Sequence, residues 1–195
     1  MRKTKIGAVP YVAPIPIVLV GADVDGRPNF ATVGDCAVLG IRPPLVVVSL
    51  SATHHTTRGV LAHRAFSINV PTESMVALVD HFGVVSGRDV DKALLLPSEP
   101  GEVEGVPLAA DCPISIECRV RSVVDVEHRR IFIADVVQTH VASNLVREDG
   151  GRLCVAPLAE IHPILYALDG GYYGVGAKIG TSHESGRSFI PADPR

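Results

Sequence analysis

Tryptophan is missing altogether, and five Phe with four Tyr are all the large aromatic residues in 195 positions. So sparse a set leaves little from which to build the stacking platforms of a single-strand nucleic-acid binder. Basic runs are missing too. With a formal net charge of −3 and a pI near 6.2, nucleic acid is not an expected partner. Prolines and charged residues interrupt every apolar stretch before it reaches the length of a membrane span, so no membrane association is expected. The basic start Met1-Arg2-Lys3-Thr4-Lys5 runs into Pro10, Pro14 and Pro16 instead of an apolar core, which argues against a secretory signal.

The four cysteines, Cys36, Cys112, Cys118 and Cys154, form no C-x-x-C pair and read as reduced, mostly buried thiols of a cytoplasmic protein. Paired Cys and His at zinc spacing are lacking, and the adjacent His54 and His55 would diverge, so no metal site is expected. No nucleophile elbow, H-E-x-x-H helix or P-loop occurs. Glu117, Asp125 and Asp135 fall on apparently solvated strand faces, so a paired-carboxylate mechanism has no support either.

What is present is a core. Hydrophobic residues make up 47% of the chain, enough for a single domain, placed at residues 1–178 with a polar, glycine- and proline-bearing tail at 179–195. Strand signals dominate. Ile17-Val18-Leu19-Val20 leads into Asp25-Gly26, a hairpin turn signal, and Asn29-Phe30-Ala31-Thr32-Val33 leaves it. Leu45-Val46-Val47-Val48-Ser49-Leu50-Ser51 reads as a strand buried on both faces, and Ala65-Phe66-Ser67-Ile68-Asn69-Val70 as another. Residues 116–126 alternate as a half-exposed antiparallel strand, His128-Arg129 turns the chain into residues 131–137, and Gly150-Gly151 separates two more extended pieces. Helices are fewer. Thr56 or Thr57 caps a short one, Thr72 caps one carrying Met75, Leu78, Val79 and Phe82, and a third starts near Asp89. The expected fold is mainly β: a closed or nearly closed antiparallel barrel with peripheral helices.

Two loops carry the chemistry. Ser86-Gly87-Arg88-Asp89-Val90-Asp91-Lys92 combines a hydroxyl, a flexible glycine and two cations in a loop read as opening into a helix. That combination receives anions through backbone N–H groups and neutralising charge. Ser51-Ala52-Thr53-His54-His55-Thr56-Thr57-Arg58 follows a strand and offers hydroxyls at a helix start, whether for an anion or merely for capping that helix. Together they point to a phosphorylated ligand. Asn29, Thr32 and Gly34 punctuate an apolar strand, either as a ligand approach or, the simpler account, as a bulge with satisfied polar groups. Gly170-Gly171-Tyr172-Tyr173-Gly174 follows no buried strand and opens no amphipathic helix, so it reads as a turn carrying two tyrosines and not as a dinucleotide fingerprint.

The order of these motifs resembles the flavin reductase-like family of FMN-binding split barrels, which includes flavoredoxins, over residues 14–176. The resemblance rests on Asp25-Gly26-Arg27-Pro28-Asn29-Phe30-Ala31-Thr32-Val33, Pro43-Pro44-Leu45-Val46-Val47-Val48-Ser49-Leu50, His54-His55-Thr56, Phe66-Ser67-Ile68-Asn69-Val70-Pro71 and the Ser86-to-Lys92 loop. It implies an FMN-binding split β-barrel, antiparallel and Greek-key-like, with a few peripheral α-helices. By position it implies that Asn29, Ala31, Thr32, Val33 and Gly34 lie along the isoalloxazine ring, and that Ser49, Leu50 and Ser51 line the ribityl chain. Thr56, Ser86, Arg88 and Lys92 would serve the phosphate, with Thr57 and Arg58 as weaker contacts; His54, His55 and Gly87 would also border the cofactor, and Tyr172 or Tyr173 would reach a neighbouring subunit's site. It implies FMN as cofactor, NADH or NADPH as donor, hydride transfer to flavin N5 with no separate catalytic side chain, and a homodimer. An electron carrier reduced by a redox partner protein is the alternative, and a flavin-free interaction or heme-binding barrel a third reading. Two positions depart from the family pattern: His54 replaces its usual arginine, and Gly34-Asp35-Cys36 stands where many members carry a tryptophan.

Overall fold

In the computed structural model, which describes residues 1–187, apolar side chains fill both faces of the strand β2 (Val18–Val24). Val18, Val20 and Ala22 enter one core and Leu19 another, so a two-residue period serves two separate layers. Before it lies the short β1 (Ile15–Pro16), and β3 (Arg27–Val33) follows through a two-residue turn. Asp25 and Gly26 both hold positive φ, 56° and 83°, the geometry that hairpin turns with right-twisted strands require. Residues 18–24 pair with 33–27 in unbroken register, so the segment from Asn29 to Val33 contains no bulge, although its polar side chains are satisfied as the simpler account has it: Asn29 is buried and bonded to Thr56, and the Thr32 hydroxyl donates to the Val79 carbonyl.

Next come β4 (Cys36–Ile41), β5 (Pro44–Ser51), the helix α1 (His55–His63), β6 (Ala65–Val70) and the helix α2 (Val76–Val84). Two short strands, β7 (Ser98–Pro100) and β8 (Pro107–Ala109), precede the long pair β9 (Ile114–Val126) and β10 (Arg129–Val141). The hairpin β11 (Val146–Asp149) and β12 (Arg152–Val155), the helix α3 (Leu158–Ile161), and the strands β13 (Leu165–Tyr166) and β14 (Tyr172–Tyr173) complete the chain.

Seven strands form the main sheet in the order β3-β2-β6-β9-β10-β5-β4, every neighbour antiparallel. Register shifts along β9 and β10 bend the sheet where the long strands change partners. One core therefore receives Val20 and Ala31 from one end of the sheet, Val48 and Leu50 from the other, and Phe66 and Phe132 between them. Among the described residues no backbone pairing joins the edges β3 and β4, so the barrel is split, not closed.

Helix α1 packs on β2 at the sole close approach glycine allows there: a Cβ on Gly59 would collide with the Asp23 carbonyl. Helix α2 covers the other face, where Val79 and Phe82 meet Leu19 and Phe30. Several local expectations shift. His54 occupies the cap position of α1 without a side-chain hydrogen bond, and Thr56 and Thr57 lie inside the helix. Thr72 precedes a 3₁₀ turn, Glu73–Met75, that leads into α2, and it makes no side-chain cap bond. In place of a third helix near Asp89 stands a single 3₁₀ turn, Lys92–Leu94, capped by Asp91. The β9–β10 turn is Glu127-His128, one residue earlier than His128-Arg129. Glu117 is fully buried and not solvated, whereas Asp125 is exposed and paired with Arg130, and Asp135 is half-buried and paired with Arg121. Of the polar tail, residues 188–195 lie outside the described residues, and those at 179–187 are exposed.

Candidate functional site

The loop after β5 and the loop after α2 are 35 residues apart along the chain at their meeting point, where the Arg88 Nη2 donates to the Thr53 carbonyl at 2.8 Å. Each loop is held locally first. Ser51 and Thr53 hydroxyls bond each other at 3.0 Å, and the amides of Asp89 and Val90 both donate to the Ser86 carbonyl at 3.0 Å. Gly87 then sits against β3, where a Cβ would run into Asn29 Oδ1, so only glycine lets the second loop come this close. From below, the Asn29 amide donates to the Thr56 Oγ1 at 2.7 Å, a buried bond tying β3 to the first turn of α1. The Thr57 amide donates to the His54 carbonyl at 3.2 Å, which leaves the His55 and Thr56 amides of the first turn of α1 without intrahelical acceptors, and among the described residues no side chain caps them.

Two adjoining cavities, about 500 and about 250 Å³, open at this junction. Asn29, His55, Gly87, Arg88 and Lys92 form the wall they share. The smaller one collects Ala31, Thr32, His54, Thr56 and Ser86 as well, so ten of the residues expected at the cofactor are gathered here. Val33, Gly34, Ser49, Leu50, Ser51, Thr57 and Tyr173 line neither cavity. Val33 and Leu50 belong to the barrel core. The Ser49 hydroxyl accepts from Arg129, and the Thr57 hydroxyl donates to the Ser51 carbonyl at 2.8 Å. Tyr173 is half exposed on β14, where its hydroxyl donates to Asp169.

Lys92 is an expected member in an unexpected setting. It is buried, and its ammonium donates to the carbonyls of Phe82 at 2.8 Å and Phe30 at 3.0 Å, with the Phe82 ring 5.0 Å away. Burial lowers its pKa to about 8. Those two bonds leave one ammonium proton for a ligand in the cavities that Lys92 lines.

The histidines feel the same surroundings. The His54 ring is open to solvent on one side, yet the groups packed beneath it lower its pKa: desolvation first, then the charges of Arg129, Lys92 and Arg88. His55 is lowered by desolvation, then by Arg58 and Arg88, with Asp25 opposing them. The His55 Nδ1 is buried and has no hydrogen-bond partner.

Thr53, Phe82, Gly83, Val84 and Val85 also line the smaller cavity, and Arg129 contributes charge from β10. Thr53 lay within a motif legible in the chain. The residues at the end of α2 lay just before one, but Arg129 had no local signal. Because only the 3₁₀ turn Lys92–Leu94 follows it, the second loop offers amides and side chains without the helix start that its sequence had implied.

A curled antiparallel sheet with an anion-suited junction at the start of α1 defines a class of small-ligand-binding split barrels. Residues 12–176 match the flavin reductase-like domain, and the chain belongs to that family. A flavoredoxin from Methanosarcina acetivorans is 27% identical, with a TM-score of 0.90 over 97% of this chain and 100% of that one. An FMN-binding protein from Thermus thermophilus, crystallised with 1-cyclohex-2-enone, is 26% identical with a TM-score of 0.77, covering 93% and 99% of the two chains. The reductase component of a 4-nitrophenol 4-monooxygenase/4-nitrocatechol 2-monooxygenase from Rhodococcus opacus is 26% identical over 127 residues, 65% of this chain and 66% of that protein.

Proposed function

We propose that this chain is an FMN-binding oxidoreductase that accepts hydride from NADH or NADPH and passes electrons onward. The observation that carries the reading is the convergence of the loops at Thr53 and Arg88 over Asn29, which creates an anion-suited cavity at the start of α1. The donor set fits a phosphate monoester: the His55 and Thr56 amides at the start of α1, the hydroxyls of Thr56 and Ser86, the guanidinium of Arg88, the remaining proton of Lys92, and the imidazoles of His54 and His55. Asn29, Ala31 and Thr32 continue the site along β3 toward the ring, and Val33, Gly34, Ser49, Leu50 and Ser51 would border it further out. Bound FMN supplies the redox chemistry through N5, which is why no acid–base pair is required of the protein. The protein's own part is to hold the cofactor, orient it and leave one face open to the donor.

The edge strand β4 exposes Val38, Leu39 and Ile41, an apolar row that a second copy of the chain would cover, giving a cytoplasmic homodimer. Tyr173 would then reach the neighbouring site. The likeness to flavoredoxin favours a second reading, an FMN-binding electron carrier reduced by a protein partner.

The test is the visible spectrum of the purified protein, before and after NADH or NADPH under anaerobic conditions. Oxidised-flavin bands bleached by either nicotinamide support the reductase. Tight FMN that neither nicotinamide bleaches leaves the carrier, and absence of any flavin binding rejects both.

A further inference from the structure

We propose that an oxyanion enters this site together with protons taken up by His54 and His55, so that the chain grips a phosphate or sulfate group more tightly as the pH falls. The inference rests on the reading of the junction as a phosphate site.

Charge around the two rings explains why. His54 faces Arg88 and Lys92 from the second loop and Arg129 from β10. His55 faces Arg58 on its own helix, Asp25 on the β2–β3 turn, and Arg88 with Lys92. Arg27, Asp89 and Asp91 complete the larger cavity. Several of these charges are already matched: Arg58 pairs with Asp25 at 3.0 Å, and Arg129 pairs with Asp35. Arg88 spends its guanidinium on a neutral carbonyl, and Lys92 does the same with its ammonium. The site therefore holds cations with no carboxylate of their own, and a further proton on either imidazole meets repulsion in the empty site.

An entering anion reverses that balance. It matches Arg88 and Lys92, removes the repulsion, and offers an acceptor that a protonated ring can use. His55 lines both cavities, and its Nδ1 has no hydrogen-bond partner among the described residues. His54 stands at the cap of α1, a nine-residue helix whose His55 and Thr56 amides have no intrahelical acceptor.

The sign follows. Both rings titrate below the ordinary histidine value in the free protein, and an anion raises them. Between the free and bound values, binding takes up protons. Affinity then grows as the pH drops through the bound value and levels off below the free one. The FMN phosphate itself titrates near pH ~6, so sulfate, whose charge is constant over this range, isolates the protein's contribution.

The experiment is calorimetric titration of the full chain with FMN and, separately, with sodium sulfate, between pH 5.5 and 8.5 in buffers of different ionisation enthalpy. Proton uptake at pH 6, where the Lys92 ammonium is already charged, and sulfate affinity rising about tenfold per unit of histidine shift as the pH falls below 7, is the expected result. His54→Arg should bind sulfate at pH 8 as the native chain does near pH 6, with a flatter profile. His55→Asn should lose part of the uptake, and native histidine proton resonances should move to higher pKa on adding sulfate. FMN binding with no proton uptake, and sulfate affinity that ignores pH, overturns this inference and leaves the FMN reading intact. Proton-linked sulfate binding without FMN binding rejects the cofactor reading alone. If neither binds, both fall.

Discussion

Two buried charges in this molecule are treated in opposite ways. Glu117 on β9 is fully buried, and every acceptor position that matters is met from within the chain. The Val103 amide donates at 2.7 Å, the Glu102 amide at 3.1 Å, and the His140 Nε2 lies at 2.7 Å. Burial alone would raise its pKa, but the bonds from Val103, His140 and Glu102 outweigh it and hold the carboxyl below the usual glutamate value. Lys92 is buried too, yet its partners are neutral carbonyls and no carboxylate answers its charge. Burial accordingly pulls its pKa down to about 8. A charge closed off by its own chain staples a loop to a sheet. A charge left electrically unanswered beside a cavity is available to something from outside.

Glu117→Ala attacks the closed end of that contrast and should have the largest effect. It strands the Glu102 and Val103 amides, and leaving such donors unsatisfied costs about 1–3 kcal/mol each. Urea unfolding reads the loss, and FMN affinity of the folded fraction should not change. Lys92→Ala should act on both properties. It should lower stability by about 1–3 kcal/mol by orphaning the Phe30 and Phe82 carbonyls, and weaken FMN retention while reducing its dependence on salt. An unchanged FMN affinity would remove Lys92 from the phosphate site and leave it a purely structural cation. In the native chain, fluorescence titration should show FMN binding weakening as the pH rises through about 8, where the ammonium loses its proton.

Arg88→Ala should be the cleanest functional change. Its guanidinium is exposed, so stability should move by no more than about 0.5 kcal/mol, while FMN binding should weaken roughly tenfold or more through loss of a charge-assisted bond. A stability loss exceeding the binding loss would make the Thr53 contact a structural tie instead. The smallest effect concerns acid. Glu117 has a depressed folded-state value, so its contribution is whole above about pH 4.5 and is lost as the pH falls through that lower value. The stability profile of Glu117→Gln below pH 4.5 should therefore be flatter than that of the native chain.

The turns and the two binding loops were legible because their chemistry is local. Asp25-Gly26 and Gly150-Gly151 adopt positive φ where residues of those types had signalled turns. The pairing of loops 51–58 and 86–92 was legible only as two motifs of one kind. Their contact through Arg88 and Thr53 depends on how β3, α1 and α2 stack. Thr56 and Thr57 had the right chemistry for a cap, but Asn29 and the Ser51 carbonyl claimed their hydroxyls from the side. Glu117 misled because its strand alternates as though one face were wet. The segment around Gly101 lies over that face, and a Cβ there would strike the Glu117 carboxylate.

Alternation, turn residues and hydroxyl-rich loops were enough to determine a mainly β chain with two anion-suited segments, since each depends on neighbours a few positions away. Which polar residues are enclosed, which charges meet a partner, and which are left facing a cavity were decided by the folded chain alone. Solvation and pairing are properties of the space around a group, and that space is built by strands and loops remote in the sequence.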